Sequence, residues 1–235
     1  MRKKRPLAVV AVAVLRQLRP VVSKSGEGVD SPVLPPLIKG IAGVDEVGRG
    51  ALFGPVVAAA VILPVESLAP LANAGVTDSK QIAPKRRVEL ACQIRLAAVD
   101  CKIGYASAYE IDRINILQAS LLAMRRAIYR LEPLPTHCLI DGNQRIPDLN
   151  MSQETLVKGD QHSLEIAAAS VIAKVWRDAL IIRLAERYPG YDLASNKGYG
   201  SPKHRAALQT MGPSKQHRQS FKTCRGPLIP LLSHR

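Results

Sequence analysis

Two adjacent carboxylates, Asp45 and Glu46, end an apolar run and are followed by a glycine-rich stretch in "GVDEVGRGALFGP". Turn chemistry alone explains poorly why a strand-like run should stop in two acids. Successive side chains of a strand point to opposite faces. Both acids can therefore serve one site only if the strand ends there or if the longer Glu46 reaches around its edge, and the glycines allow such a bend.

Two further acids stand at similar positions. Asp141 ends the strand-like segment "HCLID", and Asp160 in "VKGDQHS" precedes a long helical run. Sites are usually built at strand ends and loop starts on one edge of an α/β sheet. Acids gathered there repel one another unless a cation is present, and a set of oxygen ligands favours Mg²⁺ or Mn²⁺ over zinc. Taken singly, Asp141 also fits a tight turn and Asp160 also fits a helix start with free amides.

The elements that would position these acids follow from apolar runs and the residues that interrupt them. Two strands joined as a hairpin come first, and strands and helices then alternate. The pattern predicts strands at 38–47, 55–64, 101–108 and 137–141, and helices at 83–100, 117–131 and 163–187. This order predicts an α/β core with a mixed sheet and a helical C-terminal part.

The charge of the chain is concentrated at its ends. The 235 residues, 47% of them hydrophobic, can bury the core of one domain, and the formal net charge is +14. Residues 40–196 are formally neutral, whereas residues 1–39 carry 8 basic and 2 acidic side chains and residues 197–235 carry 8 basic and no acidic ones. Basic arms on a balanced body are typical of a protein that binds a polyanion. The alternative is that they only improve solubility.

The N-terminus imitates a signal peptide, but its apolar stretch at 7–15 is too short to span a bilayer. Arg16 and Arg19 stand where a small-residue cleavage site is expected. We therefore expect a disordered basic extension over 1–38, a cytoplasmic location and no membrane partner. The cysteines have no C-x-x-C pair and no zinc-like spacing to histidine, which predicts reduced thiols; they are Cys92, Cys101, Cys138 and Cys224.

Several motifs in register resemble ribonuclease HII, the type 2 ribonuclease H. They are "GVDEVGRG", "DSK" at 78–80, "LIDGN", "VKGD", "IAAASVIAKVWRD", "YPGYDLASNKGYGSPKHRAAL" and "HRQSF". The resemblance covers roughly residues 39–224. It implies a ribonuclease H-like mixed five-stranded sheet flanked by helices, with a helical C-terminal segment. The expected domain is 39–225, followed by a tail at 226–235.

The resemblance also implies a catalytic site. Asp45, Glu46, Asp141 and Asp160 match the family's four active-site acids, which hold two divalent cations, Mg²⁺ or Mn²⁺. The implied activity is that of an endonuclease, and we expect the protein to be a monomer. It hydrolyses the RNA strand of RNA:DNA hybrids and nicks 5′ of single ribonucleotides in duplex DNA, leaving 3′-hydroxyl and 5′-phosphate ends.

Substrate-binding residues follow from the same resemblance. Gly48, Arg49 and Gly50 match the segment that recognises the ribonucleotide on the 5′ side of the cut, where main-chain groups can bond a 2′-hydroxyl. Tyr199 matches the tyrosine that senses this hydroxyl and stacks on the next sugar. The expected phosphate contacts are Ser79, Lys80, Lys197 and Lys203.

Two other functions compete with this interpretation. The basic arms also fit a non-catalytic nucleic-acid-binding protein, although pure binding would not require four acids that repel phosphate. The 4% aromatic content argues against a single-strand binder that stacks bases. His162 and Ser163 adjoin Asp160, but sequence neighbours seldom form a Ser-His-Asp triad, and the chain has no G-x-S-x-G motif.

Overall fold

One mixed sheet organises the computed structural model, which describes residues 37–225. Its strands are β1 (Leu37–Val47), β2 (Val56–Ile62), β3 (Asp100–Ala106), β4 (Leu134–Asp141) and β5 (Ser152–Leu156). Their order across the sheet is β3-β2-β1-β4-β5. Strand β2 runs antiparallel to its neighbours β1 and β3, whereas β4 runs parallel to both β1 and β5.

Helices follow the strands along the chain. They are α1 (Val65–Asn73), α2 (Pro84–Ala97), α3 (Ala108–Ile128), α4 (Leu164–Ala185), α5 (Leu193–Asn196) and α6 (Pro202–Met211), with 3₁₀ turns at Gly159–Gln161 and Lys222–Cys224. Helix α3 begins with a capping box between Ser107 and Glu110, and the Ser163 side chain caps α4. Pro84 stands in the first turn of α2, where its missing N–H costs nothing.

Both faces of the sheet are covered, which explains why all seven residues of β2 are buried. On one face Val57, Ala59 and Val61 contact a core shared with α2 and α4. On the other face Ala58 and Ala60 contact a core shared with α3. A smaller apolar cluster joins the loop between β1 and β2 to the C-terminal helices.

The strand register sets the position of the acids. Val44 of β1 pairs with Ile140 of the parallel β4, so the next residues, Asp45 and Asp141, lie level with each other at one edge of the sheet. The antiparallel β2 begins at the same edge, because Glu46 pairs with Ala58. The loop from 48 to 55 joins these two strands and therefore lies beside the acids.

The expected architecture is confirmed: a hairpin comes first, and a mixed sheet of five strands flanked by helices is followed by a helical C-terminal part. Helix α1 and strand β5 are additional elements that the sequence pattern did not predict. Strand β1 already begins at Leu37, inside the predicted extension 1–38; the rest of that extension and the tail 226–235 lie outside the described residues. Within 37–225, none of the helices has the length and apolar character that a bilayer span requires.

Candidate active site

Three of the four predicted acids converge at the edge of the sheet. Asp45, Glu46 and Asp141 each place a carboxylate oxygen within 4.8 Å of the other two. The Asp45 side chain accepts a hydrogen bond from the amide of Glu46 (2.6 Å), and Asp141 accepts one from the amide of Gly159 (2.8 Å). Main-chain donors therefore fix the orientation of two of the three carboxylates.

Burial and mutual repulsion make this group electrostatically unfavourable on its own. Burial raises the pKa of Asp45 well above its usual value, and the charges of Glu46 and Asp141 raise it further. Burial also raises the pKa of Glu46, although Arg49, whose guanidinium lies 3.1 Å away, opposes the shift. Oxygen ligands alone, buried and close together, fit a hard divalent cation such as Mg²⁺ or Mn²⁺.

Asp160 lies outside this group of three. It stands in the 3₁₀ turn before α4 and is only 8% exposed. Burial raises its pKa, followed by the charges of Asp78 and Asp141. Asp160 is therefore close enough to Asp141 to feel its charge, and its role as the fourth catalytic acid stays a prediction.

A cavity of about 270 Å³ opens beside the acids. Its lining includes Asp45 and Glu46 together with Ser79, Lys80 and Tyr199. Three residues predicted to bind substrate, from two distant loops, thus meet the carboxylates in one cavity. The predicted contacts Lys197 and Lys203 lie outside this lining; Lys203 is exposed on the first turn of α6.

One face of α4 connects these loops. Ser170, Lys174, Arg177 and Asp178 recur at helical spacing and so share that face. The Ser170 hydroxyl lies 2.8 Å from that of Ser79 and also hydrogen-bonds Asp45. The Ser79 side chain is thus bonded to Ser170 inside the protein and only 3% exposed.

The other members of this face support the loops and Tyr199. Lys174 donates to Asp178, one helical turn further on (2.9 Å), and its ammonium lies 5.6 Å from the ring centroid of Tyr199. The guanidinium of Arg177 lies 5.4 Å from the same centroid. Cations within this distance are attracted to an aromatic ring, so the two residues hold Tyr199 beside the acids.

The glycine-rich loop after β1 combines a buried and an exposed part. Gly48 is buried with φ +92°, a conformation that L side chains rarely adopt. Arg49 and Gly50 are exposed, and a Cβ at Gly50 would have nothing within 4 Å. The loop thus presents the Arg49–Gly50 segment to solvent next to Glu46.

A hydrogen-bond chain through two histidines connects the Tyr199 segment to the C-terminal part of the protein. The Ser214 amide donates to Nδ1 of His217 (2.9 Å), so the proton of a neutral His217 is on Nε2. This Nε2 lies 3.0 Å from Nε2 of His204, whose Nδ1 lies 2.8 Å from the Tyr199 carbonyl oxygen. Only neutral rings complete this hydrogen-bond chain. Protonation of His204 would set its Nε2–H against that of His217, and protonation of His217 would set its Nδ1–H against the Ser214 amide.

This arrangement predicts a loss of stability in acid. Burial, followed by the charge of His204, lowers the pKa of His217 from 6.5 to about 4. Its contribution to stability is therefore complete above pH 6.5 and is lost as the pH falls towards 4, because the unfolded state takes up the proton first. The shift corresponds to about 3 kcal/mol.

Urea unfolding of the wild type and of His217→Gln between pH 7.5 and 4 tests this expectation. We expect the difference in unfolding free energy between the two proteins to shrink as the pH falls. Both proteins contain the same carboxylates, so the comparison removes the carboxylates' contribution to the pH dependence of stability. That contribution has the opposite sign, because the pKa values of these groups are raised. A difference that is independent of pH would contradict the histidine chain.

Comparison with known proteins places the site in a family. The family model described as ribonuclease HII matches residues 42–224, which include all four predicted acids, the glycine loop and Tyr199. The chain belongs to the ribonuclease HII family. The enzyme class is accordingly that of a ribonuclease H, as the sequence motifs indicated.

Curated relatives and solved structures agree with this family. Ribonuclease HII of Acaryochloris marina is 64% identical over 190 residues, covering 81% of this chain and 96% of its own length. Ribonuclease HII of Trichormus variabilis is 62% identical over 184 residues, covering 78% and 82%. Ribonuclease H2 from Pyrococcus horikoshii superposes with a TM-score of 0.67 at 26% identity over 79% of this chain and 95% of its own.

Proposed function

We propose that this protein is a divalent-metal-dependent endonuclease that hydrolyses the RNA strand of RNA:DNA hybrids and nicks duplex DNA 5′ of single ribonucleotides. One observation carries the proposal. Three carboxylates meet within 4.8 Å, and two of them line a cavity whose wall includes Tyr199. Family membership supports the substrate class, and the excess of basic residues at both ends of the chain supports a polyanionic partner.

The acids are the proposed cation ligands. Asp45, Glu46, Asp141 and Asp160 would hold two ions, Mg²⁺ or Mn²⁺. When bound, the ions supply acidity for the attacking water and positive charge for the leaving 3′-oxygen. The chain holds the ligands in place for the ions, because Ser170 and the Glu46 amide orient Asp45 and the Gly159 amide orients Asp141.

Selection of a ribonucleotide requires donors or acceptors at a 2′-hydroxyl. Gly48, Arg49 and Gly50 place main-chain groups next to Glu46, where they can reach this hydroxyl on the 5′ side of the cut. Tyr199 lines the cavity beside Asp45 and Glu46 and can stack on the next sugar. Lys80, which lines the same cavity, can contact a phosphate.

A duplex that contains one ribonucleotide tests the proposal. With Mg²⁺ or Mn²⁺ we expect a single nick 5′ of the ribonucleotide, yielding a 3′-hydroxyl and a 5′-phosphate that end-labelling identifies. The matched all-DNA duplex should stay intact, and EDTA should stop the reaction. Binding without cleavage in either metal would favour the non-catalytic nucleic-acid-binding protein instead.

We further propose that the protein is a monomer, that it acts in the cytoplasm and that it has no membrane partner. Sedimentation of the full chain with and without the duplex measures the oligomeric state.

A further inference from the structure

Two arginines are completely buried beside the glycine-rich loop. Arg177 of α4 and Arg218 of the C-terminal segment are both 0% exposed. Within residues 37–225 neither forms a salt bridge, and both donate to main-chain carbonyls. Burial, followed by the charge of Arg177, lowers the pKa of Arg218 to about 9. Burying a guanidinium without a carboxylate is costly, and the hydrogen bonds to main-chain carbonyls offset part of that cost.

Arg218 binds three carbonyl oxygens of one loop. It donates to the oxygens of Gly48 (2.7 Å), Arg49 (2.7 Å) and Gly54 (3.0 Å). The planar guanidinium with its fixed fork of donors suits such a set, whereas a lysine ammonium does not. One side chain therefore binds both ends of the loop segment from 48 to 54.

Arg177 connects the same loop to the segment that carries Tyr199. It donates to the oxygens of Phe53 (3.0 Å), Pro55 (3.0 Å) and Lys197 (2.9 Å). Its guanidinium also lies against the Tyr199 ring, with 5.4 Å between its central carbon and the ring centroid. The two arginines thus hold the glycine loop and Tyr199 in one arrangement.

The direction of these carbonyls determines the direction of the neighbouring amides. In a trans peptide the C=O and the N–H point in opposite directions. Because the carbonyls of Gly48 and Arg49 point to the buried Arg218, the amides of Arg49 and Gly50 point away from it, and both of these residues are exposed. Within the described residues, neither of these two amides donates a hydrogen bond.

We propose that Arg177 and Arg218 are positioning residues for ribonucleotide selection. They hold the amides of Arg49 and Gly50 and the ring of Tyr199 at the spacing that a ribose with a 2′-hydroxyl fits. They act through the loop and do not contact the substrate. This inference rests on the proposed function and extends it to the residues that set its selectivity.

Arg218→Lys and Arg177→Lys test the inference, because lysine keeps the charge but cannot serve three carbonyls. The readout is selectivity: the ratio of the Kd for an all-DNA duplex to the Kd for the same duplex with one ribonucleotide, measured with Ca²⁺. We expect this ratio to fall about tenfold, the equivalent of one hydrogen bond. Affinity for the all-DNA duplex should stay within about twofold, since phosphate contacts dominate it.

Arg126→Lys is the matched control. Arg126 of α3 also donates to a main-chain oxygen, that of Tyr105 (2.8 Å), and pairs with Glu110, but it contacts neither loop. We expect Arg126→Lys to lower the thermal midpoint without changing the selectivity ratio. A ratio that stays at the wild-type value in folded Arg218→Lys and Arg177→Lys would overturn the inference and leave these arginines a purely structural role.

A second pair of variants keeps the test decisive if the lysine variants do not fold. A Cβ at Gly48 would lie 2.1 Å from Nε of Arg177, so Gly48→Ala disturbs the arrangement from the loop side. Gly75→Ala has the same backbone strain, with φ +89° and nothing within 4 Å, far along the chain from the loop. Loss of selectivity in Gly48→Ala alone supports the inference, and equal selectivity in both variants contradicts it.

Failure of the proposed function gives a different result. In that case the wild type itself would show no preference for the ribonucleotide duplex and would not nick it. If the wild type nicks and selects but the variants do so equally well, only the inference about Arg177 and Arg218 is wrong.

Discussion

Replacing Asp45 by asparagine is expected to lower the rate of nicking at least about 10³-fold, because a lost cation ligand removes several kcal/mol of transition-state stabilisation and each 1.4 kcal/mol is tenfold. Asp45 is the most deeply buried of the three acids: it is 6% exposed, and one of its oxygens is within 4.8 Å of those of Glu46 and Asp141. Asparagine has nearly the same shape, so the fold and the binding of the duplex should remain within a few-fold of the wild type.

The measurement is single-turnover cleavage of the one-ribonucleotide duplex, with binding followed separately. Asp148→Asn is a suitable control, because Asp148 is an exposed acid in a left-handed conformation that asparagine tolerates. We expect its rate to equal that of the wild type. If Asp45→Asn cut the duplex within tenfold of the wild-type rate, Asp45 would not be a cation ligand.

Gly43→Ala is expected to destabilise the protein by about 3 kcal/mol or more, the upper end for overpacking in a core. A Cβ at Gly43 would lie 2.0 Å from the carbonyl carbon of Glu165, 2.2 Å from its oxygen and 2.4 Å from the amide nitrogen of Ile166. These are main-chain atoms of the first turn of α4, which cannot rotate away as a side chain can. To accommodate the methyl group, α4 must move off β1, two residues before Asp45.

Urea or thermal unfolding measures this effect, with Gly50→Ala as the control. Gly50 stands in open space, where a Cβ would have no atom within 4 Å, and its backbone conformation is ordinary, so its replacement should leave the midpoint unchanged. A Gly43→Ala protein as stable as the wild type would show that α4 does not contact β1 as closely as the structure has it.

The sequence was sufficient to predict the positions of the acids on the elements. A strand that ends at Val47, directly after Asp45 and Glu46, and another that ends at Asp141 are local patterns of apolar runs and breakers. Parallel pairing of Val44 with Ile140 then brings those ends together, and this pairing belongs to the sheet topology that the family resemblance implied. The distance of Asp160 from the other three depends on a 3₁₀ turn that no periodicity marks.

Two elements escaped prediction for local reasons. Strand β5, "SQETL", is polar because it is the outermost strand of the sheet, with no further strand paired to its free side. Helix α1 follows Pro64 and contains Pro70, which normally interrupts a helix. Neither segment carries a pattern that separates it from a loop.

The supporting residues of the site could not be predicted because their partners are distant in sequence. In the sequence, Arg177 and Arg218 look like ordinary solvated surface charges. Their hydrogen-bond acceptors in the loop after β1 are carbonyls that lie 122 to 170 residues away along the chain. The Ser79 hydroxyl, predicted as a phosphate contact, meets Ser170, which is 91 residues away. Burial of such groups follows from the packing of whole elements, which single-sequence patterns do not encode.

A crystal of the protein soaked in Mn²⁺ and recorded at the manganese absorption edge tests the proposed cation site most directly. We predict an anomalous peak among the carboxylates of Asp45, Glu46 and Asp141, about 2.0–2.6 Å from their oxygens, the range of hard cations with oxygen ligands. The cation site would be contradicted if the density showed these three carboxylates in the described positions with no ion between them, while the same preparation nicked the duplex in Mn²⁺.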